Sequence, residues 1–280
     1  MKRLLSIELQ KIWLSKSSRI LTISYFFLLS FIALIASIKF NIGSFQLHIA
    51  EQGIFNFPYI WHFNTYIAAI LKFFLAIVIV SMMSNEYSYG TLKQNLIDGM
   101  SKQEFILSKF LTVVVFAFAS TVFVFIMSLI LGYSFSSYTE FSIVFTDLEY
   151  LLTYFIKLIG FFSFCLFLGI LVKKSAFAIG FLFVWNILES ILKGILSFKV
   201  FPEGSKSAEN IMQFLPLESM SNLIVEPFSR LSVVKNIQTA IGGAGNGKDY
   251  SVHFTAILIV LAWTVIFMLM SYKLLKKRDL

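Results

Sequence analysis

The sequence predicts an all-α integral membrane protein of six transmembrane helices, led by an N-terminal amphipathic elbow helix. Three observations carry that expectation. Of 280 residues, 58% are hydrophobic and only 14% charged, against roughly one-quarter charged in soluble domains. Uncharged runs reach span length: Ile20–Ile38 and Phe254–Tyr272 hold nineteen residues each and Phe110–Thr139 holds thirty, enough for a hydrocarbon layer of about 30 Å. Basic residues then gather beside alternate spans, as they do in short cytoplasmic segments.

The elements follow in order. Residues 1–19 place Leu5, Leu9, Ile12 and Trp13 at i, i+4, i+7, i+8 spacing, with Lys2, Ser6, Gln10 and Lys16 mostly elsewhere. That pattern suits a helix lying in the membrane interface before the first crossing, and a polar lead-in this long argues against a cleaved signal. Spans are expected at about 20–38, 65–84, 108–132, 150–172, 175–198 and 253–272, within a single transmembrane domain over 1–280. Three of them carry ionisable residues: Lys72, then Lys157, then Glu189 with Lys193. The segments 39–64 and 199–252 read as external connections, the second with short helices that cap the bundle.

Six crossings put both termini on one side. Lys2, Arg3, Lys11, Lys16, Arg19, Lys93, Lys102, Lys109, Lys173, Lys174, Lys273, Lys276, Lys277 and Arg278 make fourteen of the 23 basic residues, against five acidic ones on the same face. That face carries a net +9 and the remainder −1, so the surplus of +8 is one-sided. Both termini are therefore expected in the cytoplasm of a bacterial plasma membrane protein. The basic residues flank spans, where they meet anionic head groups, and form no continuous stripe of the kind nucleic acid requires.

The polar interlude 85–107 is the most patterned polar segment of the chain. Gly90 lets the chain turn, Thr91–Asp98 sets Leu92, Leu96 and Ile97 on one helical face with Lys93, Gln94 and Asp98 around it, and Gly99 closes the helix. Ser101 with Glu104 has capping-box spacing for the next helix. A short helix, a break and a recapped helix result. The sequence E-Y-S-Y-G-T-L at Glu86–Leu92, followed by D-G-M-S-K-Q-E-F at Asp98–Phe105 and by Lys109, resembles the signature of type-2 ATP-binding-cassette (ABC) transporter membrane subunits, although members often carry Pro where this chain has Gly99-Met100. The elbow, the six spans, the long external connection and the basic tail Lys273–Leu280 agree with the same resemblance.

That resemblance implies a bacterial ABC exporter permease whose segment 85–107 is a cytoplasmic coupling helix. It would fit a cleft on a separate cytoplasmic ABC ATPase subunit and transmit its closure to the spans. Leu92, Leu96, Ile97 and Met100 are then the expected apolar contacts, with Gly90 and Thr91 at the start of the rod, Lys93 and Asp98 as rim charges and Glu86 as an anchor. A second permease copy or a related chain would complete the translocation path. The chain itself would bind no cofactor and be no enzyme, ATP and Mg residing on the partner. The competing reading is a stand-alone carrier or channel, though no internal repeats of the kind that build inverted halves are evident.

Several motifs resolve to bland readings. Gly242–Lys248 fits G-x-x-x-x-G-K but lacks a flanking βαβ unit, and Asp249 stands where Mg²⁺ binding needs Ser or Thr. A flexible glycine-rich connector is expected instead. Cys165 stands alone inside a span and reads as packing. His48, His62 and His253 lack metal-ligand spacing and suit interfacial positions. A lone charge near mid-bilayer costs at least ~2.5 kcal/mol on insertion scales. Glu189 is accordingly expected to pair with Lys157 or Lys72, or with Lys193 one turn along its own helix. The transported substrate is not legible.

Overall fold

The structure, a computed structural model, describes residues 2–37, 40–42, 45–47, 53–201, 207–230 and 249–278. Among the described residues, five stretches are helical, long and apolar enough to cross a membrane: Tyr59–Ser88, Lys102–Phe135, Phe141–Val172, Ser175–Val200 and Phe254–Lys277. A helix satisfies every backbone group within itself, which is what a segment in hydrocarbon requires. In chain order the helices are α1 (Lys2–Leu14), α2 (Lys16–Ser37), α3 (Tyr59–Ser88), α4 (Thr91–Ile97), α5 (Lys102–Phe135), α6 (Phe141–Val144), α7 (Glu149–Val172), α8 (Ser175–Ile195), α9 (Ser207–Met212), α10 (Pro216–Asn222) and α11 (Phe254–Lys277). A π-helical turn, Leu196–Val200, extends α8. Strands β1 (Phe40–Ile42) and β2 (Phe45–Leu47) add a short antiparallel hairpin with Phe40 opposite Leu47.

Helix α7 is the axis. It packs against α3, α5, α8 and α11, and its buried side chains include Tyr154, Phe161, Phe162 and Leu166. Two glycines permit close approach. A Cβ added at Gly169 would lie 2.9 Å from Met83 Cβ and 3.3 Å from the Val80 carbonyl, and one added at Gly160 would lie 2.7 Å from Val260 Cγ1. Gly169→Ala should therefore destabilise by about 1–3 kcal/mol through overpacking of α7 on α3, read as a lowered unfolding temperature in detergent.

Helix α2 joins the bundle through hydroxyls as well as apolar packing. Tyr25, fully buried, meets Tyr154 at 2.8 Å and Ser120 closer still, while Ser120 lies 2.8 Å from Tyr154. These three groups, from α2, α7 and α5, satisfy one another away from water.

One end of the bundle collects four parts of the chain. Arg278, just past α11, donates 2.9 Å to the Leu171 carbonyl and also to that of Ile170, capping the C-terminus of α7. Its guanidinium reaches the Tyr87 hydroxyl on α3 at 3.2 Å. Lys102 donates to the Arg278 carbonyl at 3.0 Å, and Lys109 on α5 bonds Glu8 on α1. The N-terminal helix, the α3–α5 connection, the α7–α8 turn and the C-terminal turn thus share that end.

At the opposite end, part of the region read as an external connection is helical and packed. Helix α3 begins at Tyr59, inside the region read as an external connection, because Ile60, Trp61, His62 and Phe63 are buried there. His62 is fully buried. Its ring stacks on Tyr150 at 4.4 Å and Nε2 lies 2.7 Å from the Val225 carbonyl. His253 lies 3.2 Å from Asp249, whereas His48 and the loop Gly242–Lys248 lie outside the described residues. Among the described residues no group of three His, Cys, Asp or Glu could hold a metal, and Cys165 is buried and unpaired in α7.

Candidate functional site

The α3–α5 connection is built from local rules. Helix α3 ends at Ser88, Gly90 adopts φ 68°, and α4 starts at Thr91. A non-glycine residue pays about 1–2 kcal/mol for that left-handed conformation. After Ile97, Gly99 at φ 96° lets the Gly99 N–H reach the Leu96 carbonyl at 3.2 Å and the Met100 N–H reach that of Asn95 at 3.0 Å. This is a Schellman closure. Ser101 accepts from the Glu104 N–H at 3.1 Å while its own N–H donates to the Glu104 carboxylate at 2.9 Å, completing a capping box. A seven-residue rod is thereby fixed between two long helices.

Its base is a buried ion cluster. Glu86, 3% exposed, accepts from Lys109 Nζ at 2.6 Å, from Lys11 Nζ at 2.9 Å and from the Thr91 hydroxyl at 2.6 Å. Lys109, wholly buried, also donates to Glu8 at 2.5 Å, and Lys11 meets Glu8 at 3.4 Å. Two carboxylates and two ammoniums therefore lock α1, α3, α4 and α5 together with no net charge. Burial pulls the Lys11 ammonium toward neutrality, but the hydrogen bond to Glu86 and the charge of Glu8 outweigh it and raise its pKa. Beside the cluster a cleft of about 500 Å³ opens between the α1–α2 bend and the base of α3, lined by Lys11, Lys16, Asn85 and Thr91 among others.

The rod presents one face outward. Lys93, Gln94, Ile97 and Asp98 are exposed, as is Tyr89 before the turn, while Leu96 and Met100 are half-buried against the bundle. Gln94 donates to Asp98 at 2.9 Å along that outer face. Leu92, expected among the outward apolar contacts, is 2% exposed. It is turned inward to seal the rod to the bundle. Glu8 was missed by the sequence reading, although an acid sharing the face of Leu5 and Ile12 on an amphipathic helix is a signal that it needs a buried cation.

The intramembrane charges are arranged differently from expectation. Glu189 forms no ion pair with Lys157, Lys72 or Lys193. It accepts from the Leu217 N–H at 3.2 Å, the Glu218 N–H at 2.8 Å and Trp185 Nε1 at 2.6 Å. Lys157 donates at 3.3 Å to the Ser221 carbonyl. Helix α10, with Pro216, Leu217, Ser219 and Met220 buried, thus carries a carboxylate at its N-terminus and an ammonium at its C-terminus, the signs its dipole favours. Lys193 pairs with Glu218 at 2.5 Å. Helix capping replaces the expected interhelical salt bridge, because the ends of α10 offer both charges hydrogen bonds that lipid cannot. Glu189→Ala leaves the buried Leu217 N–H and the partly buried Glu218 N–H without their acceptor and should cost about 1–3 kcal/mol. Faster hydrogen exchange across Leu217–Asn222, with α4 unchanged, would register it.

A family model described as a protein of unknown function (DUF2705) matches residues 20–280. The chain belongs to that family. No curated protein matches it. The matched span of this DUF2705 member takes in α3, the whole of the rod, and both ends of α10, but begins after the helix that contributes Glu8 and Lys11.

Proposed function

We propose that this chain is the permease subunit of an ABC transporter of the type-2 kind, a membrane subunit that forms a translocation path and is driven by a separate cytoplasmic ATPase. The observation that carries this reading is the rod α4. It is a capped helix pinned by Glu86 and Thr91 to a buried ion cluster, joined without slack to α3 and α5, and it offers Lys93, Gln94, Ile97 and Asp98 outward. A rigid lever of this kind converts a push from outside the membrane into tilting of two spans, whereas a flexible loop would absorb it.

The remaining parts of the reading follow from charge and length. Helix α2, with 22 residues and about 33 Å at 1.5 Å per residue, serves as a sixth crossing, and α1 lies in the interface as the elbow. The end of the bundle that collects α1, α4, the α7–α8 turn and Arg278 carries the positive surplus, so it faces the cytoplasm of a bacterial inner membrane. Both termini lie there. ATP and Mg²⁺ belong to the ATPase partner, a second permease copy or a related chain supplies the other half of the path, and transport runs outward.

Affinity capture of the tagged chain from its native membrane tests the assignment. A nucleotide-hydrolysing subunit recovered in stoichiometric amount is the expected result. Transport by the purified chain alone in vesicles, with no such subunit present, would contradict it.

A further inference from the structure

The cleft beside the buried ion cluster is lined by donors that no protein atom engages. Helix α2 starts at Lys16 after a one-residue break at Ser15, and the break interrupts the backbone ladder that runs on from α1. The Ser15 N–H reaches the Lys11 carbonyl and the Arg19 N–H reaches that of Ser15, but the N–H groups of Lys16, Ser17 and Ser18 between them meet no acceptor among the described residues. All three residues line the cleft. A 22-residue helix with free N–H groups and no acid in its first turn presents the positive end of its dipole there. Backbone donors and dipole together are what receives a phosphate at a helix start.

Ser18 indicates a ligand independently of that helix end. The residue is 3% exposed, yet its hydroxyl makes no hydrogen bond and is not sealed from solvent. In a residue so buried, the cleft it lines is the opening that reaches this hydroxyl. Lys16, exposed at the rim, makes no ion pair.

Two carboxylates line the same cleft, and both are engaged within the protein. Glu8 is held by Lys109 and Lys11, and Glu86 by Lys109, Lys11 and the Thr91 hydroxyl. Lys16 is therefore the surplus charge, and with Lys109 behind the wall the site is net +1. Apolar residues at the bend indicate what carries the anion. Leu14, which lines the cleft, is 73% exposed, and Trp13 beside it is 54% exposed. A free ion would leave them uncovered, whereas the acyl chains of a lipid would lie on them.

We propose that this cleft binds the phosphate of an anionic phospholipid head group, with the Ser18 hydroxyl, the free N–H groups of α2 and the Lys16 ammonium as donors and the acyl chains lying on Leu14 and Trp13. The inference rests on the interfacial placement of α1 in the transport reading, but binding itself is independent of any ATPase.

The full-length chain in neutral detergent should bind dioctanoyl phosphatidylglycerol at least about tenfold more tightly than dioctanoyl phosphatidylcholine, measured by calorimetric titration, because choline adds a cation to a positive cleft. Lys16→Met and Ser18→Ala should each weaken phosphatidylglycerol binding about tenfold at unchanged unfolding temperature, and Lys16→Arg should retain it. Arg19→Met, which removes an exposed charge next to the cleft but outside its lining, should have no effect. Inorganic phosphate should not bind measurably. Equal affinity for the two lipids, undiminished binding in Lys16→Met with Ser18→Ala, or a loss in Arg19→Met as large as in Lys16→Met would each overturn the proposal. Binding of inorganic phosphate as tight as that of the lipid would assign the site to a free anion and overturn it as well. Any of these in a wild type that still captures an ATPase would sink this inference and leave the transport assignment standing.

Discussion

Lys109→Met should destabilise the protein by about 3–5 kcal/mol, the cost typical of breaking a buried ion pair by removing one partner. The Lys109 ammonium is wholly buried and is shared by Glu8 at 2.5 Å and Glu86 at 2.6 Å. Without it, two carboxylates on α1 and α3 face each other with only Lys11, itself 38% exposed, to compensate. The loss should appear as a lowered unfolding temperature and as protease sensitivity in α1, which would come away from α5. The triple variant Glu8→Gln, Glu86→Gln, Lys109→Met removes the charges together and should recover most of the stability, since replacing a whole buried ionic group by neutral residues is often near neutral. A single variant within about 0.5 kcal/mol of wild type would show that the cluster does not hold these helices together.

Ile97→Asp should have the opposite profile. Ile97 is 69% exposed at the end of α4, so the folded state should change by no more than about 0.5 kcal/mol. If the outer face of the rod grips an ATPase, an apolar anchor there is a hot-spot position, and its replacement by a charge should weaken association by about 2 kcal/mol or more. That is more than tenfold in captured partner. Leu92→Asp supplies the contrast. Leu92 is 2% exposed, and a buried carboxylate at that site should unseat the rod and lower stability, because an unpaired charge has no place in an apolar contact. Loss of capture in Ile97→Asp at unchanged unfolding temperature separates docking from folding.

Much of the architecture was legible because its signals are local. The uncharged runs Phe110–Thr139 and Phe254–Tyr272 fall on helices long and apolar enough to cross a membrane, Ser101 with Glu104 marks the start of α5, and Gly99 marks the end of α4, each through spacing that backbone geometry alone interprets. What the sequence did not disclose depends on contacts between distant segments. Glu8 and Lys109 are 101 positions apart, and no spacing rule joins them. Leu92 and Ile97 belong to one apolar stripe, yet the bundle claims the first and leaves the second outside. Glu189 invited a search for a cation, but the backbone N–H groups of α10, 28 and 29 positions away, satisfy it equally well. Periodicity carries no information about how deep such a short helix sits.

Placing a photo-crosslinking amino acid at position 97 in cells that retain the native partner proteins tests the central claim most directly. The account predicts a covalent adduct between the rod and a cytoplasmic nucleotide-binding subunit, lost when the crosslinker is moved to buried position 92. An adduct only with lipid or with an extracytoplasmic protein, or labelling of Ile97→Cys by an impermeant reagent added outside intact cells, would contradict it.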